Sequence, residues 1–388
     1  MSKNTIIIID GNSLAHRAFH AIPPLSTSRG LVTNAIYGFT NMLLKIIAGE
    51  SPGMIAVAFD KGKVTFRHDE YEDYKAHRSP TPEDLRPQFP VLKDVLRAMR
   101  IQIFEADGFE ADDLIGALST RAEQAGIKSI IITGDRDALQ LVSPLTRVRL
   151  TKKGISELDE YDAEKVRDRF GITPEQYTDF RGLTGDTSDN IPGIPGIGEK
   201  TAARLLNKYG SLEEVLAHAG ELKGRLGEQV QAHQNQAEMS KRLVTIDRNA
   251  PLEKDPGQCR WQGPDYQELL EILKELEFNR LIKSIFRNDS RQKGPEVKTA
   301  RQALPESDLE TYPVTYRRLD TPADLKKFLK AVRKSGKLSL AVESGRGEGG
   351  IIAAGLALGE DKVYYMNCAP LARTGPHHPG EQYREQAL

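Results

Sequence analysis

The chain of 388 residues carries 54 Lys plus Arg against 55 Asp plus Glu, a net charge of −1, with 39% hydrophobic and 28% charged residues. Such a composition allows two or three domains with proper cores and excludes a fibrous or low-complexity chain. No run approaches ~18 apolar residues and the opening isoleucine run is too short for a leader, so a cytoplasmic protein without a membrane span is expected. Cys259 and Cys368 lie far apart without metal-ligand spacing, which argues against a disulfide framework or a zinc site.

In chain order, three short apolar runs each lead to an aspartate. Ile6-Ile7-Ile8-Ile9 leads to Asp10, Met54-Ile55-Ala56-Val57-Ala58-Phe59 to Asp60, and Ser129-Ile130-Ile131-Ile132-Thr133-Gly134 to Asp135. Short β-branched runs between helical patterns read as buried parallel strands, so residues 1–160 are expected to form a doubly wound α/β domain. Residues 61–90 interrupt it with basic, aromatic and proline-containing sequence. Residues 161–287 are helical in pattern, with helices expected over 163–170, 200–209, 211–217, 228–243 and 265–286. Residues 288–311 are polar and read as a linker. In 312–388 a helix is expected over 321–334 and strands over 338–342, 351–358 and 362–366, before an end rich in Pro, Gly and His that reads as disordered.

Ligands of open α/β sheets bind beyond the carboxyl ends of the strands, so the three aspartates are expected to share one crevice. An aspartate at a strand end is also a common turn or helix cap, which accounts for one such residue better than for three. More acids join them: Glu110, Asp112 and Asp113 at the start of a helical run, Asp137 after Asp135, and Asp186 with Asp189 three apart. Setting these nine aside leaves 46 acids against 54 Lys plus Arg, an acidic pocket in a mildly basic surface that suits an enzyme acting on a polyanion. Clustered carboxylates need cations, and nine exceed the one or two that a single Mg²⁺ takes. Two Mg²⁺ ions, with Mn²⁺ able to substitute, would clamp an in-line phosphoryl displacement without a His base or a Ser or Cys nucleophile. Asp113 is well placed in sequence to bridge them. His16 and His20 share a helix face and read as packing or surface residues.

Two basic segments complete the pattern. Residues 61–90 interleave Lys61, Lys63, Arg67, Lys75, Arg78 and Arg86 with Phe66, Tyr71 and Tyr74, which suits single-strand capture as well as a plain solvated loop. Within 190–206, Gly193, Gly196 and Gly198 permit a tight turn and close approach to a phosphate, and Lys200, Arg204 and Lys208 recur four apart on the next helix.

The chain resembles the 5′-nuclease domain at the N-terminus of bacterial DNA polymerase I, within the flap endonuclease superfamily. The resemblance rests on Asp10-Gly11-Asn12-Ser13-Leu14 with Arg17, Ala58-Phe59-Asp60, Tyr74-Lys75-Ala76-His77-Arg78, Gly108-Phe109-Glu110-Ala111-Asp112-Asp113, Thr133-Gly134-Asp135-Arg136-Asp137 and Gly185-Asp186-Thr187-Ser188-Asp189-Asn190. It covers about 1–287, with His77 where Asn is common. It implies a PIN-like parallel sheet with a helical arch over 61–90 and a helix–hairpin–helix-type element that grips duplex DNA, with K⁺ there in some relatives. It further implies that the nine acids form the metal site, some of them without touching an ion directly, with a phosphate-facing basic pair in Lys75 and Arg78, and DNA contacts at Arg17, Arg67, Tyr74, Gly193, Gly196, Gly198, Lys200 and Arg204. The expected substrate is DNA with 5′ flaps, nicks or overhangs, RNA-primed ends included, cut by a monomer in primer removal and excision repair. Residues 312–388 would be a truncated 3′–5′ exonuclease-like segment, degenerate because Ala341 stands where that fold's first Asp is expected, two before Glu343. A single-strand ribonuclease of PIN type and a non-catalytic junction-binding module remain open alternatives; a proofreading exonuclease is disfavoured by Ala341.

Overall fold

Ile6, Ile7, Ile8 and Ile9 are all fully buried, because successive strand side chains point to opposite faces of a sheet covered on both sides. Ile6 and Ile8 belong to one core with Leu114, Ile115 and Leu118; Ile7 and Ile9 belong to another with Leu14, Phe39, Leu43 and Leu96. The computed structural model describes residues 4–62, 64–152, 157–288, 315–318, 322–335, 339–344, 351–357 and 362–367, in two units, 1–292 and 293–388.

The first unit is built on six strands: β1 (Thr5–Asp10), β2 (Met54–Ala58), β3 (Gln102–Phe104), β4 (Lys128–Thr133), β5 (Thr146–Thr151) and β6 (Leu158–Tyr161). Their spatial order is β3-β2-β1-β4-β5-β6, parallel throughout except for the antiparallel β5–β6 pair. The chain runs outward from β1 through β2 and β3, then resumes on the other side of β1 with β4. The order reverses between β1 and β4, and a crevice opens there beyond the strand ends. Asp10 closes β1, Asp60 lies two residues past β2, and Asp135 two past β4.

Beyond β6, the described elements up to Asn288 are helical. Two expected long helices are each broken in two. The 228–243 pattern becomes Arg225–Ala232 and Gln234–Val244, interrupted at His233, whose backbone is not helical. The 265–286 pattern becomes Tyr266–Glu275 and Asn279–Asn288, because Glu277 adopts a left-handed φ of 59° that no helix continues through. Among the described residues of 61–90, the short helix Phe66–Glu70 is followed by turns and by the start of the helix Gln88–Ala98. No helix among the described residues is long and apolar enough to cross a membrane.

The second unit has a four-stranded sheet ordered β7-β10-β9-β8, from β7 (Thr315–Arg318), β8 (Ser339–Ser344), β9 (Ile351–Ala357) and β10 (Lys362–Asn367), with the helix Pro322–Ser335. Strand β7 was not expected from the sequence pattern. The linker over 288–311 and the disorder from 369 onward fall, apart from Asn288, outside the described residues.

The turn before the helix Glu199–Tyr209 depends on one close backbone crossing. A Cβ on Gly193 would sit 2.3 Å from the Gly185 nitrogen, at a φ of 60°. Gly193→Ala should therefore cost well over ~1 kcal/mol in urea unfolding, whereas Gly196→Ala, with open space around it, should cost only about 1 kcal/mol for its positive φ.

Candidate active site

The strand ends surround a cavity of about 1340 Å³. Its lining includes Asp10, Asp60, Glu110, Asp112, Asp135 and Asp186, so six of the nine expected acids meet in one place. Local capping chemistry holds several of them. Asp10 caps the helix Gly11–Ala21 through the Ser13 N–H (2.9 Å) and accepts from the Thr133 hydroxyl at 2.7 Å, tying β1 to β4. Asp60 accepts from Asn12 Nδ2 (2.7 Å) and the Ala111 N–H (2.8 Å), tying the end of β2 to two helix starts. Asp135 caps the following 3₁₀ turn through the Asp137 N–H at 2.8 Å. These residues therefore fix local backbone and line the shared crevice at once.

The acids divide by partner. Asp10, Asp60, Asp112 and Asp135 have no ion pair among the described residues. The other five do. Lys75 Nζ lies 2.7 Å from Glu110 and 3.6 Å from Asp189, and Arg78 donates to Asp189 at 2.7 Å. Arg181 donates from Nε to Asp137 at 2.7 Å and from Nη2 to Asp186. Arg67 grips Asp113 with both nitrogens, at 2.8 and 2.7 Å.

Asp113 departs from expectation. It is fully buried, and besides Arg67 its carboxylate accepts the N–H groups of Glu110 (3.0 Å) and Asp247 (2.9 Å). With its oxygens committed and facing away from the cavity, it caps its helix and anchors the insertion; it does not bridge metals. Arg67 is correspondingly unavailable to DNA: it is 2% exposed and also donates to the carbonyls of Leu243 and Thr245. Tyr74 is 4% exposed, its hydroxyl spent on Glu110 at 3.1 Å, so it cannot stack on a base. Gly193 is buried, its N–H donating to Ser240 and its carbonyl accepting from Gln236, which removes it as a phosphate contact. Gly196, Gly198, Lys200 and Arg204 are exposed. Arg17 reaches the cavity and donates to the carbonyls of Lys152 and Thr151.

Sequence reasoning missed Arg181, which lies on the helix Tyr177–Thr184, an element the sequence pattern did not single out. His16 and His20 line the cavity wall, His20 exposed and His16 partly buried against Phe89, in keeping with the packing or surface role expected of them.

Electrostatics confirm the crowding. Dehydration, with Asp60 and Asp135 nearby, pushes the Asp10 carboxyl up to about 7 despite its two hydrogen bonds. Burial and Asp135 likewise push Asp137 up to about 7, against the pull of Arg181. Asp112 and Asp135 are raised for the same reasons, as is Asp60, which is exposed in surface terms but sits in the dehydrated cleft. Burial disfavours charge on Lys75, and Glu110 and Asp189 outweigh it, leaving the amine raised. Lys75 also holds a left-handed φ of 56°, fixed by its N–H to the Asp189 carbonyl at 2.9 Å.

These residues fit a hard divalent cation. One oxygen of Asp112 is buried without any hydrogen-bond partner, and raised, unpaired carboxylates are what such an ion would stabilise. No group of three or more His, Cys, Asp or Glu among the described residues stands in position to hold an ion by itself. An open set suits Mg²⁺, which keeps several waters.

Two outcomes follow. Arg67→Met should cost about 3–5 kcal/mol in urea unfolding, because it strands the buried Asp113 charge. A carboxyl whose folded pKa exceeds its unfolded value binds more protons when folded, so Asp10 and Asp137 stabilise the metal-free protein at low pH, and that stability is lost as pH rises from about 4 through about 7. Thermal melts should show it, and Mg²⁺ should raise Tm more at about pH 8 than at about pH 5.

The comparisons agree with this architecture. Residues 5–171 match the model of the 5′–3′ exonuclease N-terminal resolvase-like domain, and residues 172–267 that of the 5′–3′ exonuclease C-terminal SAM fold. DNA polymerase I of Bacillus caldotenax is 47% identical over 299 residues, 77% of this chain and 34% of the relative; that of Bacillus subtilis (strain 168) is 43% identical over 284, covering 73% and 32%. The chain thus spans about a third of the length of these relatives. Among solved structures, the T5 5′-exonuclease with bound zinc ions aligns with a TM-score of 0.53 at 21% identity, over 71% of this chain and 98% of that one. The catalytic core of Rad2 in complex with DNA aligns with 0.52 at 15%, over 74% and 91%. At such identities the likeness is one of fold. The two family models, which together run through the sheet and the helical layer, establish that the chain belongs to the 5′–3′ exonuclease family and is a nuclease.

Proposed function

We propose that the chain is a metal-dependent, structure-specific nuclease that hydrolyses a phosphodiester near the junction of single-stranded and duplex DNA. The observation that carries this reading is the quartet Asp10, Asp60, Asp112 and Asp135, which line one cavity at the switch point and take part in no ion pair among the described residues. These four would hold the divalent ions, taken to be two Mg²⁺, with Mn²⁺ as a substitute. Bound ions of this kind supply a water nucleophilic at neutral pH and charge to stabilise the leaving oxygen. Lys75 and Arg78, at the cavity's edge, would turn from Glu110 and Asp189 to the phosphate as it enters. The exposed helix start at Gly198 and the row Lys200 and Arg204 would hold the duplex through its backbone. A K⁺ in that turn would have to do without the Gly193 carbonyl, which Gln236 holds.

The substrates are read as 5′ flaps, nicks and overhangs, including RNA-primed ends, in primer removal and excision repair, with the chain acting as a monomer. The second unit is read as a degenerate 3′–5′ exonuclease-like segment, with Ala341 on β8 two residues before Glu343. A 5′-flap duplex with an internal label tests the central reading. Cutting near the junction should require Mg²⁺, stop with EDTA, and fall at least about 100-fold in Asp135→Asn. Binding should weaken steeply between low and physiological salt. Tight flap binding without cutting in Mg²⁺ or Mn²⁺ would instead favour the junction-binding module, and preference for unstructured RNA the single-strand ribonuclease.

A further inference from the structure

Where the helix Gln234–Val244 ends, residues 243–247 form a strap whose backbone groups are held in alternation by two distant side chains. The carbonyls of Leu243 and Thr245 accept from Arg67 Nε and Nη2, at 2.9 and 3.0 Å. The carbonyl of Val244 and the N–H of Ile246 are held instead by Gln140, whose Nε2 donates at 2.8 Å and whose Oε1 accepts at 2.9 Å. The same Nε2 donates at 2.9 Å to the carbonyl of Asp137, in the 3₁₀ turn Arg136–Leu141 that Asp135 caps. Other strap contacts reach the remaining acid-bearing segments. Ile246 lies so close to the helix Ala111–Gln124 that a Cβ on Gly116 would sit 2.4 Å from it. Leu243 and Val244 share a small apolar core with Tyr74 of the insertion and with Ile191, two residues past Asp189. Arg67 and Gln140 are both buried, and neither lines the cavity. Buried bonds of this kind are costly to leave unmade, so a shift of the insertion's base moves the strap, and the strap moves Gln140.

We infer that the strap couples the docking of the insertion to the placing of Asp135 and Asp137, and that Gln140 is the positioning residue through which it does so. Gln140 acts from behind the cavity wall: it sets where the turn after β4 holds its carboxylates. Glutamine suits the task because one planar amide both donates and accepts. It can hold a carbonyl and an N–H of the strap and still reach the Asp137 carbonyl. The inference rests on the metal-dependent reading for what the two acids do, while the coupling itself is a property of the metal-free chain.

Calorimetric Mn²⁺ titration and native-state hydrogen exchange of the full chain test this in Gln140→Met, Arg67→Lys and the double variant, each verified as folded by circular dichroism. Arg67→Lys keeps a charge facing Asp113 but loses the fork that reaches the strap. Each single variant should lower Mn²⁺ affinity at least about tenfold, the scale on which losses around a metal register. The double variant should lose no more than about twice the larger single loss, because both act through one strap, whereas independent losses would multiply. In the metal-free chain, Arg67→Lys should speed amide exchange at least about tenfold over 136–141 while β5 keeps its protection, a local opening that global destabilisation would not give. That exchange readout decides the matter by itself where Gln140→Met does not fold. Affinity within about twofold of the unmodified chain in either folded single variant overturns the inference, as do losses that multiply. Faster exchange in Arg67→Lys that stays confined to 61–90 and the strap overturns it too. Should the unmodified chain bind no Mn²⁺, the metal-dependent reading falls, and exchange over 136–141 still decides the coupling.

Discussion

The structure is organised around the cost of holding many carboxylates in one partly dehydrated crevice. Isolated, each would prefer water; together they repel, and their raised proton affinities register that strain. The chain answers in two ways. Five acids are neutralised by fixed cations drawn from distant segments: Arg67, Lys75 and Arg78 from the insertion and Arg181 from the helical layer. Four are left uncompensated. A fold that balanced every charge internally would leave nothing to attract a metal, and one that balanced none would be hard to close.

The same ion pairs do mechanical work. Arg67 and Asp113 pin the base of the insertion to the helix Ala111–Gln124 and to the backbone near Thr245, so a basic segment that looks like a free loop in sequence is docked on the core. Because such a pair is buried, its value lies less in net stability than in the penalty for any arrangement that separates the partners. Lys75 and Arg78 sit on the same insertion but nearer the cavity, at 18% and 50% exposure, where exchanging a carboxylate for a phosphate is a small rearrangement.

Much of the site was legible from the sequence because strand-end position and side-chain type are both local. The isoleucine run before Asp10 and the run before Asp135 specify buried parallel strands, and parallel strands place their carboxyl ends on one edge. What local pattern could not supply is the direction in which a side chain faces once its neighbours arrive. Asp112 and Asp113 are adjacent acids in one helix start, yet one carries an unpartnered oxygen and the other is sealed under Arg67, since successive helix positions point about 100° apart. Arg67 and Tyr74 looked like nucleic-acid contacts for their type and company, and burial reassigned both. The breaks at His233 and Glu277 were likewise invisible in an apolar period that runs on across them.

By itself, then, the sequence determined the alternation of strands and helices, the placing of acids at strand ends, and a family resemblance carried by ordered motifs; each depends on residues close in the chain. The tertiary structure alone decided which acids keep a cation and which remain open. That division depends on Arg67 reaching 46 positions along the chain to Asp113 and on Arg181 reaching back 44 to Asp137, distances over which sequence spacing carries no information about contact.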